Sequence, residues 1–177
     1  MSPIIINPEN PIAINTVTFI LGSTGSGKTT LQKQIISQML EQGATVLWVT
    51  PSFTNEEAYD FSKYPEFYVY GIDPWDYEMG ISTFQKFVCE RQQYYDIDKS
   101  VTEKHLHLAI DELNLVHEAT HSNSNLWTGL HYALKIIRKL NCSYSACSIP
   151  KVDYHHLSAY QHYGAATLIN VDSLRMH

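Results

Sequence analysis

Eight consecutive residues near the start of the chain, Gly22-Ser23-Thr24-Gly25-Ser26-Gly27-Lys28-Thr29, place two glycines, a lysine and a hydroxyl at the fixed positions of G-x-x-x-x-G-K-[ST], with a third glycine between them. Such a stretch is chemically a cradle for phosphate. Glycines let the backbone curl with its N–H groups turned inward, so that a row of amides and the start of the next helix can hold phosphate oxygens. Lys28 would reach the β- and γ-phosphates as a point positive charge, and the Thr29 hydroxyl would sit on Mg²⁺. The expected phosphate-binding set is Gly22, Ser23, Thr24, Gly25, Ser26, Gly27, Lys28, Thr29 and Thr30, and the expected ligand is ATP with Mg²⁺.

A phosphate cradle of this kind needs an acidic partner on a neighbouring strand. Leu106-His107-Leu108-Ala109-Ile110 runs apolar into Asp111-Glu112, the form of a Walker B segment. Asp111, at the carboxyl end of a strand, would hold the Mg²⁺ through water. Glu112 could polarise the water that attacks the γ-phosphate, a role that separates hydrolytic motors from most kinases. Taken alone, the same residues would read as a strand ending in two solvated acids; following a phosphate loop, they read as its partner.

The elements that must position these groups are legible in outline. Thr16 to Leu21 is β-branched, aromatic and apolar, a buried strand leading into the loop. Leu31, Ile35, Ile36 and Met39 share one face of a helix expected over Lys28 to Glu41, with Gly43 as its stop. Thr45 to Thr50 reads as a second strand, cut off by Pro51-Ser52. The aromatic region from Asn55 to Ser100 is the least legible, although Phe84, Phe87, Val88 and Tyr95 suggest a helix near Ile81 to Tyr95. After the strand Leu106 to Ile110 comes a polar loop around His121 to Asn125. The spacing of Leu126, Leu130, Leu134, Ile137 and Leu140 then marks a helix. Further strands are expected over Ser143 to Ser148 and Ala166 to Val171. Five strands joined by crossover helices imply an α/β three-layer sandwich with a mostly parallel sheet of five or more strands, and a ligand at the strands' carboxyl ends.

Composition bounds the alternatives. With 177 residues and 44% hydrophobic content, residues 1–177 are expected to form one P-loop domain around one sizeable core. A formal charge of -6 gives no overall basic footprint, so nucleic-acid binding would need a local patch or an assembled ring. The first residues carry no basic n-region, and no apolar run is long enough to span a bilayer, so a soluble, cytoplasmic protein without a membrane segment is expected. Cys89, Cys142 and Cys147 form no C-x-x-C pair and are expected to pack as small apolar side chains in a reducing compartment. Of nine histidines, His117 with His121, and His155-His156 with His162, have spacings that can bind zinc, but no H-E-x-x-H or Cys/His quartet accompanies them. His105 and His107 alternate on one face of the Walker B strand, where packing is the expected role. Tyr64 to Tyr70 could stack on bases, but is more economically a β-edge or core segment.

A family resemblance rests on these motifs. Thr18-Phe19-Ile20-Leu21 followed by Gly22 to Thr29 looks like the P-loop of FtsK/HerA-type DNA-pumping ATPases, and Asp111-Glu112-Leu113 resembles their Walker B segment. Ala146 to Asp153 is similar to the segment that follows their fourth strand, and Asn170 to Arg175 to the strand that closes their motor core. The resemblance implies a P-loop NTPase of the additional-strand, RecA-like type. It further implies an ATPase that assembles into a homo-oligomeric ring and couples hydrolysis to translocation or packaging of double-stranded DNA. Ser148 stands where the family usually has a sensor glutamine, so sensing of the γ-phosphate would depend on a shorter hydroxyl. Arg138 lies close to where the family often carries an arginine and is the candidate for a finger acting in trans, ahead of Arg91 and Arg175. Two other classes stay open. A small-molecule or nucleoside kinase suits the length but lacks an arginine-rich lid, and a nucleotide-switched binding module is disfavoured by Glu112. No L-S-G-G-Q segment points to an ABC transporter subunit.

Overall fold

A computed structural model describes residues 4–6, 12–14, 16–51, 61–99, 103–149 and 166–174. Two short strands, β1 (Ile4–Ile6) and β2 (Ile12–Ile14), pair with each other antiparallel and stand apart from the main sheet. The main sheet begins at β3 (Val17–Leu21), whose β-branched and aromatic side chains are almost all buried. The phosphate loop follows, and α1 (Lys28–Glu41) starts directly behind Gly27. The helix ends as its sequence demands. Gly43 takes the left-handed conformation at φ 83°, its N–H bonds to the Leu40 carbonyl (3.0 Å), and the Ala44 N–H reaches the Met39 carbonyl (2.9 Å). That pair of bonds is a Schellman motif, which satisfies carbonyls the helix leaves open.

Strand β4 (Thr45–Val49) is followed by β5 (Phe67–Tyr70) and by α2 (Pro74–Ile97), a helix of 24 residues. Helix α2 begins well before the expected Ile81 because its start is capped. The Asp73 carboxylate accepts from the Asp76 N–H at 2.8 Å, and Pro74 sits in the first turn, where its missing N–H costs nothing. Then come β6 (Leu106–Ile110), α3 (Leu113–Thr120) and α4 (Ser124–Ile136), the last capped by Asn123 and tightened into a 3₁₀ turn over Ile137–Leu140. The described chain closes with β7 (Cys142–Ser148), β8 (Ala166–Asn170) and a single turn, α5 (Val171–Leu174).

Six strands therefore form the sheet, in the order β5-β4-β6-β7-β3-β8, and every pair is parallel. The sixth strand beyond the five expected is β5, which takes the edge position from within the Tyr64 to Tyr70 segment. Both faces are covered, so the central strands are buried on both sides, including the polar residues Thr18, His107, Ser143 and Ser145 that they carry inward. On one face α1 packs Leu31, Ile35, Ile36 and Met39 against Ile20, Val46 and Trp48. On the other, α2 and α4 pack Ile81, Phe84, Leu130 and Leu134 against Phe19, Leu47, Leu108 and Tyr144. One consequence of this order positions the site: β7 is inserted between β3, which feeds the phosphate loop, and β6, which ends at Asp111. No helix among the described residues is long and apolar enough to cross a membrane.

Candidate functional site

The loop between β3 and α1 has the conformation its glycines predict. Gly25 and Gly27 sit at φ 77° and 97°, left-handed values that a side chain would strain. Gly22 is crowded for a different reason: a Cβ there would come within 2.4 Å of Ser26 Oγ and 3.2 Å of Ser26 Cβ. The Gly22 N–H donates to the Ser148 carbonyl at 3.2 Å, which ties the loop to the end of β7. Lys28 is buried, and its Nζ donates to the carbonyls of Gly22 and Ser23, both at 2.8 Å. Ser26 Oγ is buried and makes no hydrogen bond among the described residues, a donor left for an anion in the cradle.

The second acidic element meets the loop as expected. Thr29 Oγ1 donates to the Asp111 carboxylate, 3.2 Å from Oδ1 and 3.0 Å from Oδ2. Asp111 is itself buried; it also accepts from the Glu112 N–H at 3.0 Å and from Thr50 Oγ1 at 3.5 Å. A hydroxyl and a carboxylate held together at the mouth of an anion cradle are hard oxygen donors, the set that suits Mg²⁺. Glu112 follows with φ 50° and ψ 55°, the left-handed region that a glutamate enters only at a cost, and it opens α3. These groups line a cavity of about 530 Å³ that runs from Thr24 through Thr30 to Asp111, Glu112 and Asn114. Its position at the carboxyl ends of the strands is the one predicted.

The other expected residues divide between the loop's surroundings and distant parts of the fold. Ser148 is fully buried, and its hydroxyl turns to the Ile149 carbonyl at 3.4 Å. Arg138 is exposed on the 3₁₀ turn that leads into the start of β7, at the opposite end of the sheet from the cradle. Arg91 is held by backbone, donating to the carbonyls of Leu140, Asn141 and Lys104. Arg175, His155, His156, His162 and Lys151 to Asp153 fall outside the described residues. His117 lies edge-on to Trp127 with ring centres 4.9 Å apart, and His121 Nδ1 meets the Glu118 carbonyl at 2.7 Å. No group of three or more His, Cys, Asp or Glu placed to hold a metal ion occurs among the described residues.

The cysteines divide. Cys142 and Cys147 are buried as expected, but Cys89 is exposed on α2, because its position on that helix faces solvent rather than the sheet. Burial pushes the Cys147 thiol well above its ordinary pKa, and the nearby Asp111 carboxylate adds to this.

Two residues to which the sequence assigns no role join the site. The Asp172 carboxylate, on α5, accepts from both the N–H and the Oγ of Ser23, each at 3.0 Å, and so braces the outside of the loop. Thr50, just beyond β4, supports Asp111. The residues Asn170 to Arg175 draw notice as a motif, but nothing in a sequence shows that Asp172 folds back across 149 positions onto Ser23.

No family model matches the chain, and no curated protein matches it in sequence. Solved structures do resemble it in fold. The pCW3 conjugation coupling protein TcpA, in a monomer form with ATPγS, superposes at a TM-score of 0.62 with 16% identity, over 84% of this chain and 48% of that one. The cytoplasmic domain of the type VII secretion ATPase EccC from Thermomonospora curvata gives 0.64 at 15%, over 85% and 19%. EssC ATPases 2 and 3 from Geobacillus thermodenitrificans give 0.62 at 15%, over 96% and 36%. This chain thus spans about half of the first of these structures and about a third or less of the other two. What they share with this chain is the fold, an α/β domain built on a parallel sheet, and two of them are described as ATPases.

Proposed function

We propose that the chain binds ATP with Mg²⁺, hydrolyses it, and acts as the motor core of a ring-forming translocase that moves or packages double-stranded DNA. The observation that carries the reading is the contact of Thr29 with Asp111 at the mouth of the phosphate loop, with Glu112 next in line. Loop amides and the start of α1 would bind the phosphates, and Lys28 would exchange its two carbonyl partners for phosphate oxygens. Thr29 and Asp111 would hold Mg²⁺, which when bound neutralises charge that develops on the phosphoryl oxygens. Glu112 would accept a proton from the attacking water. Positioning and electrostatics then supply most of the rate. Arg138 would act as finger from a neighbouring copy, and the three free cysteines suit a cytoplasmic setting. Double-stranded DNA as the polymer moved rests on the FtsK/HerA resemblance of the motifs; of the structural neighbours, one is described as a conjugation coupling protein and another as a secretion ATPase.

Hydrolysis measured with and without double-stranded DNA at low salt tests the reading, because phosphate contacts weaken steeply as salt rises. Stimulation by DNA that disappears in Glu112→Gln is the expected result. Hydrolysis indifferent to DNA would remove the DNA assignment, and absence of ATP binding would remove the reading as a whole.

A further inference from the structure

The buried side of α1 carries Gln32 between Leu31 and Ile35, fully enclosed and three residues after Thr29. A primary amide in such a place must find partners for two donors and an acceptor, or its desolvation goes uncompensated. Gln32 finds them on three different strands. Its Oε1 accepts from Trp48 Nε1 of β4 at 3.0 Å, and because an indole only donates, this contact assigns the amide's orientation. Its Nε2 donates to the Ile110 carbonyl of β6 at 3.2 Å, and to the carbonyl and Oγ of Ser145 on β7, both at 3.3 Å. Ile110 is the residue immediately before Asp111. One side chain therefore ties the helix that carries Thr29 to the backbone that carries Asp111.

Behind Gln32 a chain of polar groups holds Ser145 in place. Ser145 Oγ meets His107 Nε2 at 2.8 Å, His107 Nδ1 meets Ser143 Oγ at 2.7 Å, and Ser143 Oγ meets His105 Nε2 at 2.7 Å. The line ends at Asn141, whose Oδ1 lies 2.8 Å from His105 Nδ1 while its Nδ2 donates to the Glu103 carbonyl. That last bond makes Asn141 Oδ1 the acceptor, so each ring in turn carries its proton on Nδ1 and each serine donates to the next Nε2. A satisfied network of this kind is rigid, and a row of aliphatic side chains would not specify one register as closely.

We propose that Gln32 is a positioning residue for the metal pair: it sets the separation of the Thr29 hydroxyl and the Asp111 carboxylate, and so governs the Mg²⁺-dependent part of nucleotide binding. The inference rests on the ATP and Mg²⁺ reading above. Groups that orient metal ligands typically cost about 10-fold or more in metal affinity when removed. The loop from Gly22 to Lys28, by contrast, receives none of Gln32's hydrogen bonds, which go to Trp48, Ile110 and Ser145.

The test is binding of a fluorescent ATP analogue in excess EDTA and in Mg²⁺, together with the Mg²⁺ concentration that half-saturates hydrolysis. Gln32→Met keeps the side chain's shape and removes its hydrogen bonds. Its expected affinity in EDTA is within roughly twofold of wild type, while the gain on adding Mg²⁺ falls by about 10-fold and half-saturation moves up by a similar factor. Ser145→Ala, which removes one partner and leaves the apolar core intact, is expected to shift the same two quantities by roughly threefold and decides the question if Gln32→Met does not fold. An unchanged Mg²⁺ gain in the variants would overturn the proposal, and so would equal losses in EDTA and Mg²⁺, which would mark a purely structural role. Failure of the wild type to gain affinity from Mg²⁺ would instead sink the underlying reading.

Discussion

Glu112, proposed above to activate the attacking water, holds a backbone conformation that its side chain disfavours. At φ 50° and ψ 55° an L-residue crowds its Cβ against the following carbonyl, at a cost of roughly 1 kcal/mol or more. Glycine escapes that penalty. Glu112→Gly is therefore expected to exceed Glu112→Ala in stability by about 1 kcal/mol, the reverse of the usual order, while neither variant hydrolyses ATP. Thermal melts paired with turnover assays check both halves, and a less stable glycine variant would show that the turn is not strained. Glu112→Gln should bind nucleotide and stall. Lys28→Ala should lose nucleotide binding, because no other ammonium lies in the loop to replace the one now shared by the Gly22 and Ser23 carbonyls.

His107 permits a second prediction at this scale. Complete burial, with the neighbouring His105 adding to it, lowers its pKa from 6.5 to about 3. In the unfolded chain the imidazole titrates near 6.5, so between that value and about 3 the unfolded state binds the extra proton. The depressed value thus contributes stability that is present above pH 6.5 and is lost as pH falls through the window. The loss between about pH 7 and pH 5 is roughly 2 kcal/mol. Denaturant melts across that range should show this slope for the wild type and a flatter one for His107→Gln; parallel slopes would mean that His107 is protonated in the folded protein.

At the scale of elements, sequence signals succeed where they are local. The phosphate loop, α1 with its Gly43 stop, and the buried strands β3, β4, β6 and β7 all depend on neighbours along the chain, and all stand within a residue of where their patterns place them. Helix α3 escapes a reading of the sequence because it spans eight residues and opens on the left-handed Glu112 rather than on a capping side chain. Edge strand β5 bears out the β-edge reading of Tyr64 to Tyr70, although its half-exposed aromatic residues give no clean buried pattern from which its bounds could be read. The bracing of Ser23 by Asp172, and the hydrogen bonds of Gln32, join residues far apart in sequence and become visible only when the sheet order is known. Two glycines separate local from tertiary causes in a testable way. At Gly43 a Cβ would meet nothing within 4 Å, so Gly43→Ala is expected to cost only the left-handed backbone, about 1 kcal/mol. At Gly80 of α2 a Cβ would lie 2.7 Å from Val49 and 2.8 Å from Tyr70, so Gly80→Ala should cost more, roughly 1–3 kcal/mol, by pushing α2 off β4 and β5. Equal losses at the two sites would show that the sheet yields to α2.

At the scale of the whole molecule, the position of Arg138 decides what kind of assembly could use it. The 3₁₀ turn that carries it leads into the first residue of β7, whereas the phosphate loop lies beyond the last, and six strand steps at about 3.3 Å put roughly 20 Å between the two ends. Arg138 therefore cannot reach its own Thr29 and Asp111; as the proposed finger it would have to serve the site of a neighbouring copy. Arg138→Ala should then keep nucleotide affinity and lose turnover by about 10³-fold, the scale on which such arginines act. Mixing resolves the geometry. Arg138→Ala copies retain a complete phosphate loop and Lys28→Ala copies retain the arginine, so an assembly containing both holds some complete sites even though neither variant alone has any. Turnover of the mixture well above the sum of its parts is the expected outcome. A mixture that gives only that sum would place the finger on another residue, or the chemistry within a single copy.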